Sequence, residues 1–426
     1  MPDAIDVLAI IFLFALGASL GSFLNVIVFR LPAIEIPPGA GGWESARLQL
    51  RGISYPPSHC PKCGYRLRWY DNFPVLGWVW LGGRCRQCEQ RISIQYPLVE
   101  LMLGLVFAGY YVAFFLLGPD WGPPTPVEGG VRLDADRARH WPMLALTLIL
   151  AFCLIAAALI DARHYFIPRG LSYIPAAAGL LVHTLYDTSL APLSVLASPV
   201  GCAWAVGGGV GLVLSLVLLR WGALKRSFAD ELPMLEIERD AAGEDEPSPE
   251  EWERIKRLTR REMVREVAFL ALPIGLGVLC AISAAYGPGE GFWRSLADNR
   301  AVSAFLGSLL GGLVGGGVIW IVRVAGSLGF GREAMGLGDA DLMFGVGCCL
   351  GGGPAGVALF PAALIGLVFA LYRWTVRSRH EMPFGPYLAI ASLLLVTGWN
   401  RLYDFLAPSL PALAFLFGRA APLVGL

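Results

Sequence analysis

Ten continuous apolar runs, most of them near the ~20 residues that a helix needs to cross a bilayer, punctuate this chain and leave little room for a water-soluble fold. They fall at 8–28, 97–117, 142–160, 171–186, 200–219, 267–286, 302–324, 342–350, 355–371 and 387–399, of which 342–350 is short. In lipid every backbone polar group has to be satisfied within a helix or a closed barrel. The runs are continuous rather than alternating, so helices are the solution. Composition agrees: 56% of the 426 residues are hydrophobic and 15% charged, against about 45–50% and about 25% in a soluble domain. The expected fold is all-α, a polytopic transmembrane bundle of about ten helices embedded in the lipid bilayer. A formal net charge of zero gives no basis for a nucleic-acid partner. Asp3 and Asp6 precede the first run with no basic residue, unlike the positive start of a cleavable signal peptide, so the first helix is expected to stay as an anchor.

Lysine and arginine near helix ends stay on the cytoplasmic side. The 30–95 loop carries Arg47, Arg51, Lys62, Arg66, Arg68, Arg84, Arg86 and Arg91, which makes it cytoplasmic. Alternation then brings 161–169, 225–265, 329–339 and 373–379 to the same side and the N-terminus to the other. The opposite loops are poorer in basic residues, although Arg132, Arg137 and Arg139 run against the trend. Segment 225–265 is dense in both signs and reads as a solvated connector, an acidic linker followed by a surface helix laced with charge pairs. Many of the 52 glycines sit inside apolar runs, as in Gly207-Gly208-Gly209, and suit close helix packing.

Five of the nine cysteines, Cys153, Cys202, Cys280, Cys348 and Cys349, lie in apolar runs and read as small buried hydrophobes. Cys60, Cys63, Cys85 and Cys88 form two C-x2-C pairs separated by residues 64–84. Two such knuckles supply four thiolates for tetrahedral Zn²⁺, and four protein ligands leave no open position for catalysis. A reducing cytoplasm disfavours the disulfide alternative. His59 is taken as a bystander.

Ionisable groups at membrane-helix ends are costly and functional by default. Asp161 ends one apolar run and Asp339 opens another, both on the cytoplasmic side. Two carboxylates brought together suit peptide hydrolysis, because one holds a proton to donate while the other deprotonates water. Charge placement alone leaves a bland alternative open, in which each aspartate caps a helix and Arg163 neutralises Asp161.

The motifs around them carry a resemblance. Gly336-Leu337-Gly338-Asp339 resembles the GxGD signature of intramembrane aspartyl proteases, and with Arg332-Glu333-Ala334-Met335 before it, the prepilin peptidases (type IV leader peptidases). Gly21-Ser22-Phe23-Leu24-Asn25, Cys85-Arg86-Gln87-Cys88 leading into Gln95-Tyr96-Pro97-Leu98-Val99-Glu100, Leu159-Ile160-Asp161 with Ile167-Pro168, and Pro383-Phe384-Gly385-Pro386-Tyr387 are similar to the family's other motifs, in order. The resemblance implies that Asp161 and Asp339 are catalytic and that Gly336, Gly338, Pro383 and Gly385 support the site. It implies substrates that are prepilins or pseudopilins, cut after a glycine at the cytoplasmic face of a bacterial inner membrane. Family members with the cysteine loop also N-methylate the new terminus with S-adenosylmethionine. No G-x-G-x-x-G follows a strand pattern, so the residues binding that donor stay unidentified, with Glu100 a polar group singled out by resemblance alone.

Two positions depart from the family: Arg169 stands where an acid is common after Ile-Pro, and Asp341 where Lys often follows the second aspartate. Those departures keep a peptidase-inactive, pilin-binding assembly factor as an alternative. A secondary transporter predicts an inverted repeat and midplane charges, and neither is evident. The aspartates are 178 residues apart (339 − 161), which fits an insertion of two spans that returns Asp339 to the side of Asp161. The expected divisions are therefore 1–29, a first membrane helix; 30–96, the four-cysteine loop; 97–190, helices carrying the first aspartate; 191–300, the insertion with a charged linker at 222–266; and 301–426, the GxGD and C-terminal helices.

Overall fold

Each apolar run builds an α-helix in the computed structural model, which describes residues 3–34, 37, 42–118, 127–128, 131–132, 137–186, 197–225, 227, 248–287, 289–376 and 383–406. The helices are α1 (Ala4–Arg30), α2 (Gly42–Ser54), α3 (Leu76–Trp80), α4 (Gln95–Phe115), α5 (Arg137–His164), α6 (Arg169–Leu185) and α7 (Pro199–Arg220). They continue with α8 (Pro249–Tyr286), α9 (Glu290–Asp298), α10 (Arg300–Phe330), α11 (Leu337–Leu350), α12 (Gly352–Val357), α13 (Leu359–Val376) and α14 (Gly385–Leu406). Beyond these, the described residues hold a short 3₁₀ turn at Leu31–Ala33 and a hairpin of two-residue strands, Val127–Glu128 with Val131–Arg132. This is a multi-pass membrane protein.

Among the described residues, seven spans are long and apolar enough to cross a bilayer by length and composition alone: α1, α4, α5, α7, α8, α10, and α12 with α13. The other three runs also form helices. The 17 residues of α6 reach about 26 Å at 1.5 Å per residue, at the short end of the ~17–25 residues of membrane helices. The 14 residues of α11 reach about 21 Å, and most are buried by other helices. The last turns of α14 carry Asn400, Arg401 and Asp404.

A correction concerns the end of segment 225–265. The expected surface helix and the expected span are one 38-residue helix, α8, about 57 Å long. Ser248 and Glu251 cap it reciprocally (Glu251 N–H to Ser248 Oγ, 3.3 Å; Ser248 N–H to Glu251 Oε2, 2.7 Å), with Pro249 at the first helical position, where a missing N–H costs nothing. Its polar half is not merely solvated, because Thr259, Glu262, Met263 and Glu266 are buried.

Close glycine contacts set the directions of the helices. A Cβ on Gly17 would lie 2.6 Å from the Leu103 carbonyl oxygen, and one on Gly21 2.6 Å from Glu100 Cα, so α1 and α4 run antiparallel. The same holds for α7 against α8 (Gly207 at Leu276, Gly211 at Pro273) and for α10 against α11 (Gly311 at Gly347, Gly315 at Met343). In contrast α6 and α11 run parallel, with Gly345 against Ser172 and Gly179 against Cys348. The main core is formed by α1, α4, α5, α6, α11 and α14; Cys202, Ala203, Ala205, Ala284, Trp293 and Leu306 form a smaller one in the 191–300 region and the start of α10. Large apolar side chains that remain exposed, among them Leu8, Phe12, Val213, Leu279 and Phe360, are the surface that lipid covers.

Arg137 loses its oddity as a basic residue on the wrong side. It bonds Asp3 at 3.0 Å and Asp6 at 2.8 Å, and Tyr111 Oη–H donates to the same Asp6 carboxylate at 2.9 Å. The acids that open the chain neutralise it.

Candidate active site

Parallel packing of α6 and α11 brings their N-termini to one end of the bundle, where α5 ends and α14 begins. Asp161, in the last turn of α5, is 7% exposed, and Asp339, in the first turn of α11, is 8% exposed. Asp339 lies within the electrostatic field of Asp161. Asp161 Oδ2 accepts the backbone N–H of Gly385 at 3.0 Å, one of the donors that a helix start leaves without an intrahelical partner. A Cβ on Gly385 would fall 2.6 Å from that oxygen, so only glycine lets the backbone come this near.

Ile167 joins the two motifs. Its Cδ1 would be 3.1 Å from a Cβ on Gly385 and its Cβ 3.1 Å from one on Gly338, so one buried side chain spaces the Asp161 and Asp339 neighbourhoods. Gly336 lies at the N-terminal boundary of α11 and its carbonyl accepts the Asp339 N–H at 3.3 Å. Pro383 is half-buried just before α14. Asp161, Asp339, Gly336, Gly338 and Gly385 thus come from three separate stretches to one place, and Pro383 stands beside it.

The two departures from the family pattern meet each other. Arg169 Nε lies 3.7 Å from Asp341 Oδ2, with side chains 74% and 34% exposed. A base on α6 faces an acid on α11, and the third carboxylate near the pair has its own counter-charge. Spacing along the chain cannot reveal this pairing, because it depends on α6 and α11 running parallel.

Arg323 went unnoticed in the sequence, although an arginine inside run 302–324 is itself a signal. It is 1% exposed and bonds Glu266 of α8, Glu333 and the Met335 carbonyl.

On the same side of the molecule, Arg163 Nη2 donates to Gln95 Oε1 at 3.0 Å, which ties the end of α5 to the end of the cysteine loop. The Sγ atoms of Cys60, Cys63, Cys85 and Cys88 all lie within 4.8 Å of one another. Two of the separations, Cys60–Cys88 and Cys63–Cys85, are 3.8 and 3.9 Å. A Zn–S bond of about 2.3 Å gives a tetrahedral edge of about 3.8 Å, so the donor set fits zinc. The two knuckles are built alike: Cys60 N–H donates to the Tyr65 carbonyl and Gly64 N–H to that of Cys60, while Cys85 N–H donates to the Gln90 carbonyl and Glu89 N–H to that of Cys85. Gly64 and Glu89 both take positive φ (71° and 54°) to close the turns. N–H groups of Cys63 and Lys62 bring the Cys60 thiol down to about 6. For Cys63 the Tyr65 N–H pulls the other way, but desolvation and the neighbouring thiols push it up to about 12. Four thiols this close do not all ionise without a cation among them. His59 turns away, its Nδ1 2.9 Å from the Pro57 carbonyl.

Asp71 braces the loop. Its carboxylate accepts Arg86 Nε and Nη2 at 2.8 and 2.6 Å and Tyr65 Oη–H at 3.1 Å, and Arg86 also lies 5.2 Å from the Tyr70 ring centroid. Glu100, buried at the start of α4, accepts the Val75 N–H at 2.7 Å and hydrogen bonds Ser22. Beside it a pocket of about 360 Å³ opens between α1 and the loop, lined by Ser19, Ser22, Phe23, Val26, Asn72 and Pro74 among others. It lies within the ~300–1,000 Å³ range of small-molecule sites.

Residues 15–114 match the family model described as the bacterial peptidase A24 N-terminal domain. Curated relatives named prepilin leader peptidase/N-methyltransferase include one from Klebsiella pneumoniae, 36% identical over 214 residues, which cover 49% of this chain and 72% of the relative. One from Dickeya chrysanthemi is 34% identical over 49% of this chain and 64% of its own length, so the chain spans less than two thirds of that relative. One from Aeromonas salmonicida is 24% identical over 92% of this chain and 89% of its own. No solved structure matches the chain.

Proposed function

Because the chain belongs to the prepilin peptidase A24 family of prepilin leader peptidases/N-methyltransferases, we propose that it removes the leader from prepilins or pseudopilins, cutting after a glycine at the cytoplasmic face of a bacterial inner membrane. The observation that carries this is the convergence of Asp161 and Asp339 at one helix-end cluster, with Asp161 held by the Gly385 N–H. One aspartate deprotonates the attacking water and passes that proton to the departing amine, while the other protonates the scissile carbonyl oxygen and recovers its proton as the tetrahedral intermediate collapses. The glycine-bounded helix ends leave room for an extended peptide to approach the carboxylates. Cys60, Cys63, Cys85 and Cys88 hold zinc as a structural ion that organises a loop with little core of its own.

The same chain then N-methylates the newly exposed residue, S-adenosylmethionine supplying the methyl group. The pocket beside Glu100 is where we place the donor. Ser22 and Asn72 provide polar edges, and Glu100 stands behind Ser22, to which it hydrogen bonds. Incubating the detergent-purified protein with a prepilin and S-adenosylmethionine, then weighing the products, tests both activities. Loss of the leader with gain of one methyl supports the proposal. An uncut prepilin overturns the peptidase, and a cut but unmethylated product overturns the transferase. Asn72→Trp, which fills the pocket from the loop, is expected to abolish methylation and spare cleavage.

A further inference from the structure

The charged stretch that ends the 222–266 linker contacts α10 and the segment that leads to Asp339. Glu266 on α8 is 2% exposed in its side chain and Arg323 on α10 1%. Arg323 Nε lies 2.9 and 3.1 Å from the two Glu266 oxygens. Trp320 Nε1–H donates to the same carboxylate at 2.8 Å and Ser227 Oγ–H at 2.9 Å, and Phe269 of α8 stacks on Trp320 with centroids 5.2 Å apart. On its other side the Arg323 guanidinium donates to Glu333 and to the Met335 carbonyl. Met335 directly precedes Gly336, whose carbonyl receives the Asp339 N–H. Two more ties reach the same segment: Thr259 Oγ–H of α8 donates to the Gly331 carbonyl at 3.1 Å, and Ser327 Oγ accepts the Ala334 N–H at 3.0 Å.

We propose that Glu266 and Arg323 are positioning residues for the peptidase, with the inserted helix α8 clamping segment 331–336 so that Asp339 is presented to Asp161. This rests on Asp339 being one of the two catalytic carboxylates. An arginine buried in an apolar helix is held only with a counter-charge. Glu333 also bonds the guanidinium, with a side chain 44% exposed. Glu266 is a buried partner, and it belongs to a different helix. Removing its charge leaves Arg323 to draw Glu333 and the Met335 carbonyl out of register, and a displacement of about 1 Å at a reacting group costs about 10²-fold in rate when fully expressed.

The test is steady-state cleavage of a prepilin by the full-length protein in detergent, with backbone hydrogen exchange over 331–339 followed in the same variants. Glu266→Gln is expected to lower kcat by about tenfold, part of that full cost, with KM within twofold, and to raise exchange in 331–339 while α7 keeps its protection. Thr259→Val and Trp320→Phe remove one tie each and are expected to act in the same direction, severalfold. They carry the test if Glu266→Gln does not fold. A kcat within twofold of wild type in the folded variants, or a loss confined to KM, overturns the proposal. Asp339→Asn is run beside them: cleavage at the wild-type rate by that variant overturns the catalytic role of Asp339 on which the clamp rests, whereas its inactivity with unaffected α8 variants overturns the clamp alone.

Discussion

Replacing Gly385 with alanine changes one hydrogen to a methyl group and ought to disable the site without unfolding the bundle. The new Cβ falls 2.6 Å from Asp161 Oδ2 and 3.1 Å from Asp161 Cγ and Ile167 Cδ1. An ordinary contact is about 3.5 Å, so the carboxylate has to retreat by about 0.9 Å. Retreat stretches or breaks the Gly385 N–H bond, now 3.0 Å. Losing a hydrogen bond to a charged group costs about 1.5–3 kcal/mol, which is roughly 10- to 150-fold in rate at about 1.4 kcal/mol per decade. A misplacement near 1 Å independently predicts about 10²-fold. Both point to a kcat lowered by about two orders of magnitude, read in prepilin cleavage under saturating substrate. Gly317→Ala is the control, because a Cβ there meets nothing within 4 Å; it should keep full activity and gain up to about 1 kcal/mol in stability from helix propensity. Cleavage by Gly385→Ala within threefold of wild type would refute the placement of Asp161 against the start of α14.

Exchanging the Arg169–Asp341 pair should show reciprocity: Asp341→Lys alone sets two cations together, and adding Arg169→Asp restores the pair in the family's orientation. Because Arg169 is largely exposed, the coupling is expected at about 0.5 kcal/mol in a double-mutant cycle on thermal unfolding; strictly additive effects would contradict the contact. Zinc is expected at one ion per chain by elemental analysis, and Cys→Ser at 60, 63, 85 or 88 should release it; full metal content in any of the four would contradict the four-cysteine assignment. Asp71→Asn tests the loop by pH. Although burial pushes the Asp71 carboxyl up, Arg86 and then the Arg68 N–H and Tyr65 hydroxyl hold it below the usual range. A depressed native value means that the stabilisation is present above about pH 4, the unfolded value, and fades as pH falls through the native one. The difference between wild type and Asp71→Asn in loop tryptophan fluorescence melts should therefore shrink below about pH 4, and a difference that grew there would be contrary.

The helical class and the four-cysteine cluster could be read from the chain because both are local. Apolar runs of fixed length dictate helices in lipid, and two C-x2-C turns dictate a knuckle wherever they fold. Asp161 and Asp339 were visible as charges at helix ends, but charge placement alone left helix capping equally open, and only the ordered motifs singled them out. What escaped depends on packing between distant segments. Apolarity does not distinguish a helix facing lipid from one buried in protein, as most of α11 is. Segment 225–265 passed for a connector because its charges look solvated until Arg323 is placed opposite Glu266. Arg169 and Asp341 looked like two unrelated departures, and became one ion pair once α6 and α11 were known to run parallel.

The central claim is that Asp161 and Asp339 act as one catalytic unit, and the most direct measurement is the single-turnover cleavage rate of Asp161→Asn, Asp339→Asn and the double variant. Groups acting as a unit are non-additive, so each single variant should lose at least about 10²–10⁴-fold and the double variant should be no slower than the slower single one. A single variant that keeps more than about a tenth of the wild-type rate, or a double variant whose loss is the product of two independent losses, would contradict it.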